Sequence, residues 1–281
     1  MQKTNNFIMH SSILLLFSIL AWTGCETTSE NGGQGELTLQ FQTITSSTSA
    51  KVSVGESAQL NDTLRVSGSN GTLVIDDIRF IVEDFELERS EGECEDLEGA
   101  AEENCEEFES EPFFVDLPLE GEVLELGTSS IEPGLYSELE FEVDDLELDE
   151  EESEERQAKE ELITIVKTEF PDWPESSSMV ITGTFIDSEG TESAFKAFAE
   201  AELEIELEFN PPLEVSENTV NKLLKVNINP AQWFLQTDGS VVDLSQYDFD
   251  STGNILELEV EVENGFTSIE IEEEDEDEDE D

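Results

Sequence analysis

The chain has 281 residues, with 73 Asp and Glu against 11 Lys and Arg, and its formal net charge at pH 7 is −62. A surface this anionic repels phosphate groups, so nucleic acid is excluded as a partner. Hydrophobic residues make up 36% of the chain and include 17 Phe, which favours a folded core over a chain that is disordered throughout.

The N-terminus has the layout of an export signal. In residues 1–24 a lone Lys3 precedes a short apolar run (ILLLFSILAW), and Thr23 and Gly24 come directly before Cys25. The run is too short to span a bilayer, which argues against an uncleaved anchor. The segment ending at Cys25 resembles the lipobox of bacterial lipoproteins, and this resemblance implies cleavage before Cys25 and lipidation of its thiol; a plain secretory signal is the alternative.

The segment after the signal indicates where the protein is held. Residues 25–35 are polar and Gly-rich, and this composition is typical of a flexible tether between a lipid anchor and a folded domain. Glu26 stands where an Asp would, by the same resemblance, favour the inner membrane. We therefore expect a lipid-anchored protein of the bacterial cell envelope, in the outer membrane, with the leaflet left open.

Alternation of apolar and acidic residues predicts β-strands through most of the remaining chain. In residues 201–209 (AELEIELEF) the apolar side chains point one way and the glutamates the other, and residues 138–143 and 256–263 repeat the pattern. Further strands are predicted at residues 37–41, 63–66, 72–87, 113–117, 123–126, 162–166, 179–186 and 223–228. Short strands separated by turns predict an all-β fold, an antiparallel β-sandwich of transthyretin or immunoglobulin type, over residues 36–271.

Two cysteines flank an acidic stretch inside the predicted sandwich. Cys94 and Cys105 lie in the run GECEDLEGAAEENCEE. In an oxidising envelope they are expected to form a disulfide, which would stabilise the fold by roughly 3 kcal/mol for a loop this short. Two free thiols are the alternative.

Two acidic runs interrupt or end the strand pattern. Residues 149–161 (DEEESEERQAKEE) predict a solvated insertion that could include a short helix. Residues 272–281 (EEEDEDEDED) are an uninterrupted acidic run and predict a disordered tail.

The residues available after cleavage exclude several kinds of catalysis. His10, the one histidine of the chain, lies in the predicted signal peptide, so the mature chain can build neither a Ser-His-Asp site nor a His-ligated zinc site. Motifs for nucleotide binding and for acyl transfer are also absent from the sequence. We expect a non-catalytic binding or structural module, and a carboxylate-dependent glycan hydrolase is the alternative because two acids suffice for that chemistry.

One acidic loop has the spacing of a calcium site. Oxygen-bearing residues occupy the first, third and fifth positions, Gly253 the sixth, and a glutamate the twelfth, as calcium loops require. The candidate ligands are Asp248, Asp250, Thr252, Asn254 and Glu259. The alternative is a simple Asp-Ser-Thr-Gly turn, since the flanking residues alternate as strands.

The other candidate contact is Trp173, which lies between Pro171 and Pro174. An aromatic side chain in such a loop could contact a sugar or a partner protein. The alternative is that Trp173 packs over an open end of the sandwich.

Glutamates on neighbouring strands need counter-charges. Two unit charges about 5 Å apart repel by on the order of 0.8 kcal/mol even in water, and the basic residues are too few to compensate. We expect a surface loaded with cations such as Ca²⁺, and a solvated coat that serves solubility is the alternative.

Several segments together resemble an uncharacterised family of bacterial exported β-sandwich lipoproteins, a domain of unknown function. The segments are residues 71–89, 112–119, 131–141, 181–185, 209–215 and 230–234. The resemblance implies a transthyretin-like sandwich and an envelope location, and it carries no catalytic residues. It identifies no protein or glycan partner.

Overall fold

Strands make up most of the part of the chain that the structure describes. The computed structural model describes residues 35–44, 63–90, 107–119, 121, 123–146, 148, 155–201, 203–216, 222–258 and 265–273. The strands are β1 (Gly35–Thr43), β2 (Leu64–Gly68), β3 (Gly71–Arg89), β4 (Glu107–Ser110), β5 (Phe113–Asp116), β6 (Val123–Ile131), β7 (Gly134–Val143), β8 (Met179–Asp187), β9 (Glu192–Glu200), β10 (Leu203–Val215), β11 (Lys222–Ile228), β12 (Leu256–Glu257) and β13 (Phe266–Glu273). The helices are α1 (Glu155–Glu169) and two single turns, α2 (Ala231–Phe234) and α3 (Phe249–Thr252), and a 3₁₀ turn spans Leu244–Tyr247.

The strands form two sheets. The small sheet has the order β13-β11-β1-β6, and the large sheet has the order β10-β7-β3-β8-β9-β12. Strand β3 is the centre of the large sheet: its first half pairs with β8 and β2, and its second half pairs with β7 and β4. Its 19 residues are long enough for β5 to pair with it between these two halves.

Aromatic side chains from both sheets form the main core. The ring of Phe41 on β1 lies 6.3 Å from that of Phe80 on β3 and 5.7 Å from that of Phe141 on β7. Phe266 on β13 contacts all three of these rings. Because one layer of side chains is shared between two sheets, the predicted β-sandwich architecture is confirmed.

The pairing of the strands is mixed and not wholly antiparallel. Strand β1 runs parallel to β11, and β12 runs parallel to β9, while the other pairs are antiparallel in the part of the chain described here. A parallel pair needs a long connection, and β1 and β11 are far apart in the sequence. All the described residues belong to one compact unit.

A helix replaces one of the predicted strands. Residues 162–166 were expected to form a strand, but they lie within α1. Leu162 and Val166 are buried and four residues apart, whereas Ile165 between them is exposed, and this spacing matches the helical repeat. With Ile81, Trp173, Val180 and Phe198 of the large sheet and its loops, the two buried side chains form a second hydrophobic core under the helix.

Other predicted segments are partly or wholly outside the described residues. The signal peptide, Cys25, both Cys94 and Cys105, and Glu259 all lie there. Strand β13 extends to Glu273, two residues into the run predicted as a tail, and residues 274–281 are not described. Among the helices that the structure describes, none combines the length and the hydrophobicity needed to cross a membrane.

Candidate functional site

Glutamates on three neighbouring strands form one continuous acidic surface. The three glutamates of β7 lie opposite those of β10, as the pairs Glu142–Glu204, Glu140–Glu206 and Glu138–Glu208. Each of the three also lies opposite a glutamate of β3: Glu86 opposite Glu140, Glu88 opposite Glu138, and the buried Glu83 opposite Glu142. We call eight of these residues, all but Glu83, the glutamate face: Glu86, Glu88, Glu138, Glu140, Glu142, Glu204, Glu206 and Glu208.

The period of the strands places these carboxylates on the outside. Leu139, Phe141 and Ile205, which alternate with the glutamates, are buried in the main core. Successive side chains of a strand point to opposite faces, so burial of the apolar residues fixes the glutamates on the other side. A slip of one residue would bury the acids, and this keeps the three strands in register.

Three carboxylates approach each other most closely at the middle of the glutamate face. Oxygens of Glu140, Glu204 and Glu206 lie within 4.8 Å of one another. Burial, together with a hydrogen bond to Glu204 and the charges of Glu204, Glu86 and Glu88, raises the pKa of Glu140 to about 7. An isolated glutamate would be fully ionised at this pH, whereas Glu140 can hold a proton near neutrality.

Glu138 shows the same effect. Its pKa is raised above the ordinary value, first by burial and then by the charges of Glu206, Glu88 and Glu208. The neighbouring carboxylates therefore disfavour the ionisation of Glu138 and Glu140. The face as a whole favours any species that brings positive charge, either a proton or a cation.

A buried ion pair lies beside the glutamate face and attaches α1 to the sheet. The ammonium of Lys159 contacts the carboxylate of Glu83, which stands opposite Glu142 across the β3–β7 pair. Glu83 is 5% exposed and Lys159 is 6% exposed. This contact could not be predicted from the sequence, because Lys159 lies in the acidic run of residues 149–161, which predicts a solvated insertion.

The predicted calcium loop folds as a helical turn in which its acids have protein partners. Asp248 comes directly before α3, and its Oδ1 accepts the backbone N–H of Lys196 at 3.2 Å. The Oδ1 of Asp250 lies 3.0 Å from the Nζ of Lys196. Thr252 donates its hydroxyl to the carbonyl of Asp248 at 2.9 Å, and the N–H of Asn254 donates to the Thr252 hydroxyl at 3.1 Å.

These contacts reduce the negative charge available to a calcium ion in this loop, but they do not test whether calcium binds there. Lys196 already neutralises part of the acidic charge of the loop, and Glu259, the predicted twelfth ligand, lies outside the described residues. The three carboxylates that converge in the described part of the chain are those of the glutamate face. Calcium binding at Asp248 and its neighbours stays a prediction.

Trp173 is buried in the second core and also lines a cavity. Its exposure is 8%, and its Nε1–H donates to the carbonyl of Ser177 at 2.8 Å. Its ring packs against Phe198, at 5.4 Å between centroids, and against Phe114, at 5.6 Å. The ring also forms part of the wall of a cavity of about 480 Å³ next to α1. Trp173 both packs in the second core and lines the cavity, so the structure does not choose between the two interpretations. Contact with a ligand at Trp173 stays a prediction.

The predicted disulfide lies between two strands that are themselves described. Glu88 of β3 pairs with Glu107 of β4, so the chain on either side of the cysteine-bearing segment returns to the same place in the sheet. Cys94 and Cys105 are outside the described residues, and their disulfide stays a prediction.

Comparison with known proteins gives one weak likeness. No protein-family model matches the chain, and no curated protein matches it. A solved structure, MbnP from Methylosinus trichosporium, resembles the fold with a TM-score of 0.33 and 11% sequence identity, over 69% of this chain and 76% of that chain. A likeness this weak assigns no family, so the resemblance to exported lipoproteins of unknown function is not confirmed. The structure itself establishes a β-rich, sandwich-like fold.

Proposed function

We propose that the protein is a non-catalytic binding or structural module of the cell envelope, and that its glutamate face takes up cations when the chain folds. The observation that supports this proposal is the register of β3, β7 and β10, which sets glutamate opposite glutamate in six pairs, five of them within the glutamate face. Like charges directly opposite one another destabilise a sheet. Folding concentrates these charges, so the folded chain attracts cations more strongly than the unfolded chain does.

Calcium is the cation that suits such a surface best. It takes six to eight oxygen ligands and accepts carboxylates in flexible geometry. The central carboxylates of Glu140, Glu204 and Glu206 offer several oxygens within reach of one another. Without a cation, Glu140 can accept a proton near neutral pH. A bound cation would therefore release this proton.

Isothermal titration of CaCl₂ into the chain from Gly33, the unit that contains every described residue, tests the proposal. We expect binding by the wild type and a weaker signal from the double variant Glu140→Gln/Glu206→Gln. The variant Asp248→Ala/Asp250→Ala is the matched control, because it removes the same number of charges from the other candidate region. If the two variants lose binding equally, calcium has no preference for the glutamate face, and the proposal fails in this form.

The envelope location rests on Cys25 and is proposed from the sequence alone. A thiol at the start of the mature chain would carry the lipid, and the polar residues that follow it would serve as the tether. Labelling with radioactive palmitate in a bacterial host should mark the full chain and not the Cys25→Ser variant. Equal labelling of both would contradict the lipid anchor.

Glycan hydrolysis remains the alternative proposal. Asp145 and Glu175 are among the residues that line the cavity beside Trp173, and a glycosidase needs two carboxylates. Most of the wall is aliphatic, which fits a hydrophobic ligand better than a sugar. The test is the release of reducing sugar from envelope glycans by the wild type and by Asp145→Asn. Release by the wild type that is lost in Asp145→Asn would establish that the protein is a glycan hydrolase and not a binding module.

A further inference from the structure

A cavity of about 480 Å³ lies under helix α1, separate from the glutamate face. Its floor is formed by Ile81, Val166 and Trp173, which are buried, and its walls include the half-buried Leu146 and Ile163. Sites for small molecules in proteins have this size and a mainly apolar lining. The cavity is therefore large enough for a ligand and not a simple packing gap.

The aromatic wall is held in place before any ligand binds. The ring of Trp173 is fixed by edge-on contacts with Phe114 and Phe198, and its Nε1–H is bonded to the carbonyl of Ser177. Since the polar atom of the indole already has a partner, the ring offers a ligand its apolar surface. A rigid wall lowers the entropic cost of binding.

The charged residues that line the cavity indicate the charge of its ligand. They are the half-buried Asp145 and the exposed Glu175 and Lys167, and the chain carries a net charge of −62. This field repels organic anions and draws cations toward the mouth.

We propose that the cavity binds a small hydrophobic organic cation, an alkylammonium or arylammonium compound, with its apolar body against Ile81, Val166 and Trp173. The ammonium group lies at the rim near Asp145 and Glu175. This site uses none of the eight residues of the glutamate face, so it stands independently of the function proposed above.

Calorimetric titration of the chain from Gly33 with three probes tests the chemical class. Hexyltrimethylammonium should bind to one saturable site, at least about ten-fold more tightly than tetramethylammonium, because the alkyl chain buries apolar surface. Hexanoate, with the same apolar body and the opposite charge, should not bind. Equal affinity for hexanoate and hexyltrimethylammonium would overturn the charge assignment, and equal affinity for the two ammonium compounds would overturn the cavity as the site.

A pair of variants on one helix locates the site. Ile163→Phe fills the cavity and should weaken hexyltrimethylammonium binding at least about ten-fold. Ile165→Phe makes the same change at a side chain of α1 that is 56% exposed, and it should leave binding unchanged. If Ile163→Phe, with a circular dichroism spectrum like that of the wild type, binds as tightly as the wild type, the proposal is wrong.

A third comparison separates the cavity from the acidic surface. The double variant Glu140→Gln/Glu206→Gln should bind hexyltrimethylammonium as the wild type does, and about 0.5 M NaCl should weaken the binding only modestly, because burial of the alkyl chain is not screened by salt. Binding that disappears in this variant or in salt would show that the probe merely coats the glutamates, and would overturn the proposal.

Discussion

Lys159 and Glu83 show how a single buried ion pair joins two elements of this protein. Both side chains are less than a tenth exposed, and they connect α1 to the central strand β3. Removing one partner of a buried pair leaves the other charge without compensation, which costs about 3–5 kcal/mol. We expect Lys159→Met to lower the free energy of unfolding in urea by about this amount.

The control lies on the same helix. Lys167 is exposed, so Lys167→Met should change the free energy of unfolding by less than about 0.5 kcal/mol. The double variant Lys159→Met/Glu83→Met should recover most of the loss, because neither charge is then buried. An equal, small effect of both single variants would show that the buried pair is not important for stability.

Glu140 makes stability depend on pH near neutrality. Its pKa in the folded chain is about 7 against an ordinary value of 4.5, so the folded chain binds this proton more tightly than the unfolded chain. The stabilisation of the folded chain by this proton is therefore complete below about pH 4.5 and is lost as the pH rises through about 7. At low salt and without added cation, Glu140→Gln should raise the free energy of unfolding at about pH 8 by roughly 0.5–1 kcal/mol and have a smaller effect at about pH 5.

Glu192→Gln serves as the matched control for that prediction, because Glu192 is exposed on β9 and lies opposite Ile186 and not another acid. The difference between the two pH values should be larger for Glu140→Gln than for Glu192→Gln. Equal differences for the two variants would show that the glutamates are fully screened by water.

Helix α1 is the element that sequence reasoning described least well. The run Leu162–Val166 is rich in β-branched residues, which favour strands. The residues before this run are strong helix formers. Leu162 and Val166 lie four positions apart, so a helix can pack both side chains on the large sheet, and this packing stabilises the helix over a strand. Strands with a clear period of two, such as β7 and β10, were predicted correctly because one face of each is buried.

The helix can be tested with two substitutions. Leu162 is buried and Ile165 is 56% exposed. Leu162→Ala should cost about 2–5 kcal/mol in the free energy of unfolding, whereas Ile165→Ala should cost less than about 0.5 kcal/mol. Similar losses at both positions would contradict the placement of α1.

Strand β13 closes one edge of the small sheet and contributes Phe266 to the main core. Truncation after Gly265 removes this strand, and we expect the shortened chain not to fold, because β11 then loses one of its two partner strands and the core loses an aromatic ring. Truncation after Glu273 keeps the strand and should leave the urea midpoint unchanged. A folded chain ending at Gly265, measured by circular dichroism, would show that β13 is dispensable.

At the scale of the whole molecule, several of the described basic residues form contacts between elements. Arg79 contacts Asp77, Asp116 and Glu169 and so links β3, β5 and α1. Lys196 makes a comparable link from β9 to Asp172 and Asp250. Basic residues used in this way hold the acidic segments against the sheet.

The candidate sites show where prediction from the sequence ends. The glutamate rows were visible individually, because alternation puts them on one side of each strand. The alignment of these rows could not be predicted from the sequence. Glu140 and Glu206 are far apart in the chain, and the pairing of β7 with β10 brings them together. The cavity could be predicted even less well from the sequence. Ile81, Asp145 and Ile163 come from three separate parts of the chain, and Trp173 is the lining residue that the sequence singles out as a candidate contact.

The central claim, that the folded chain takes up cations at its glutamate face, is tested most directly by the urea midpoint of the chain from Gly33. The midpoint is measured at low salt, then with CaCl₂ and with NaCl at equal ionic strength, beside Glu140→Gln/Glu206→Gln. We predict that CaCl₂ raises the midpoint of the wild type more than NaCl does, and that the variant loses most of this difference. Midpoints that do not respond to calcium, or a variant that responds as the wild type does, would contradict the account.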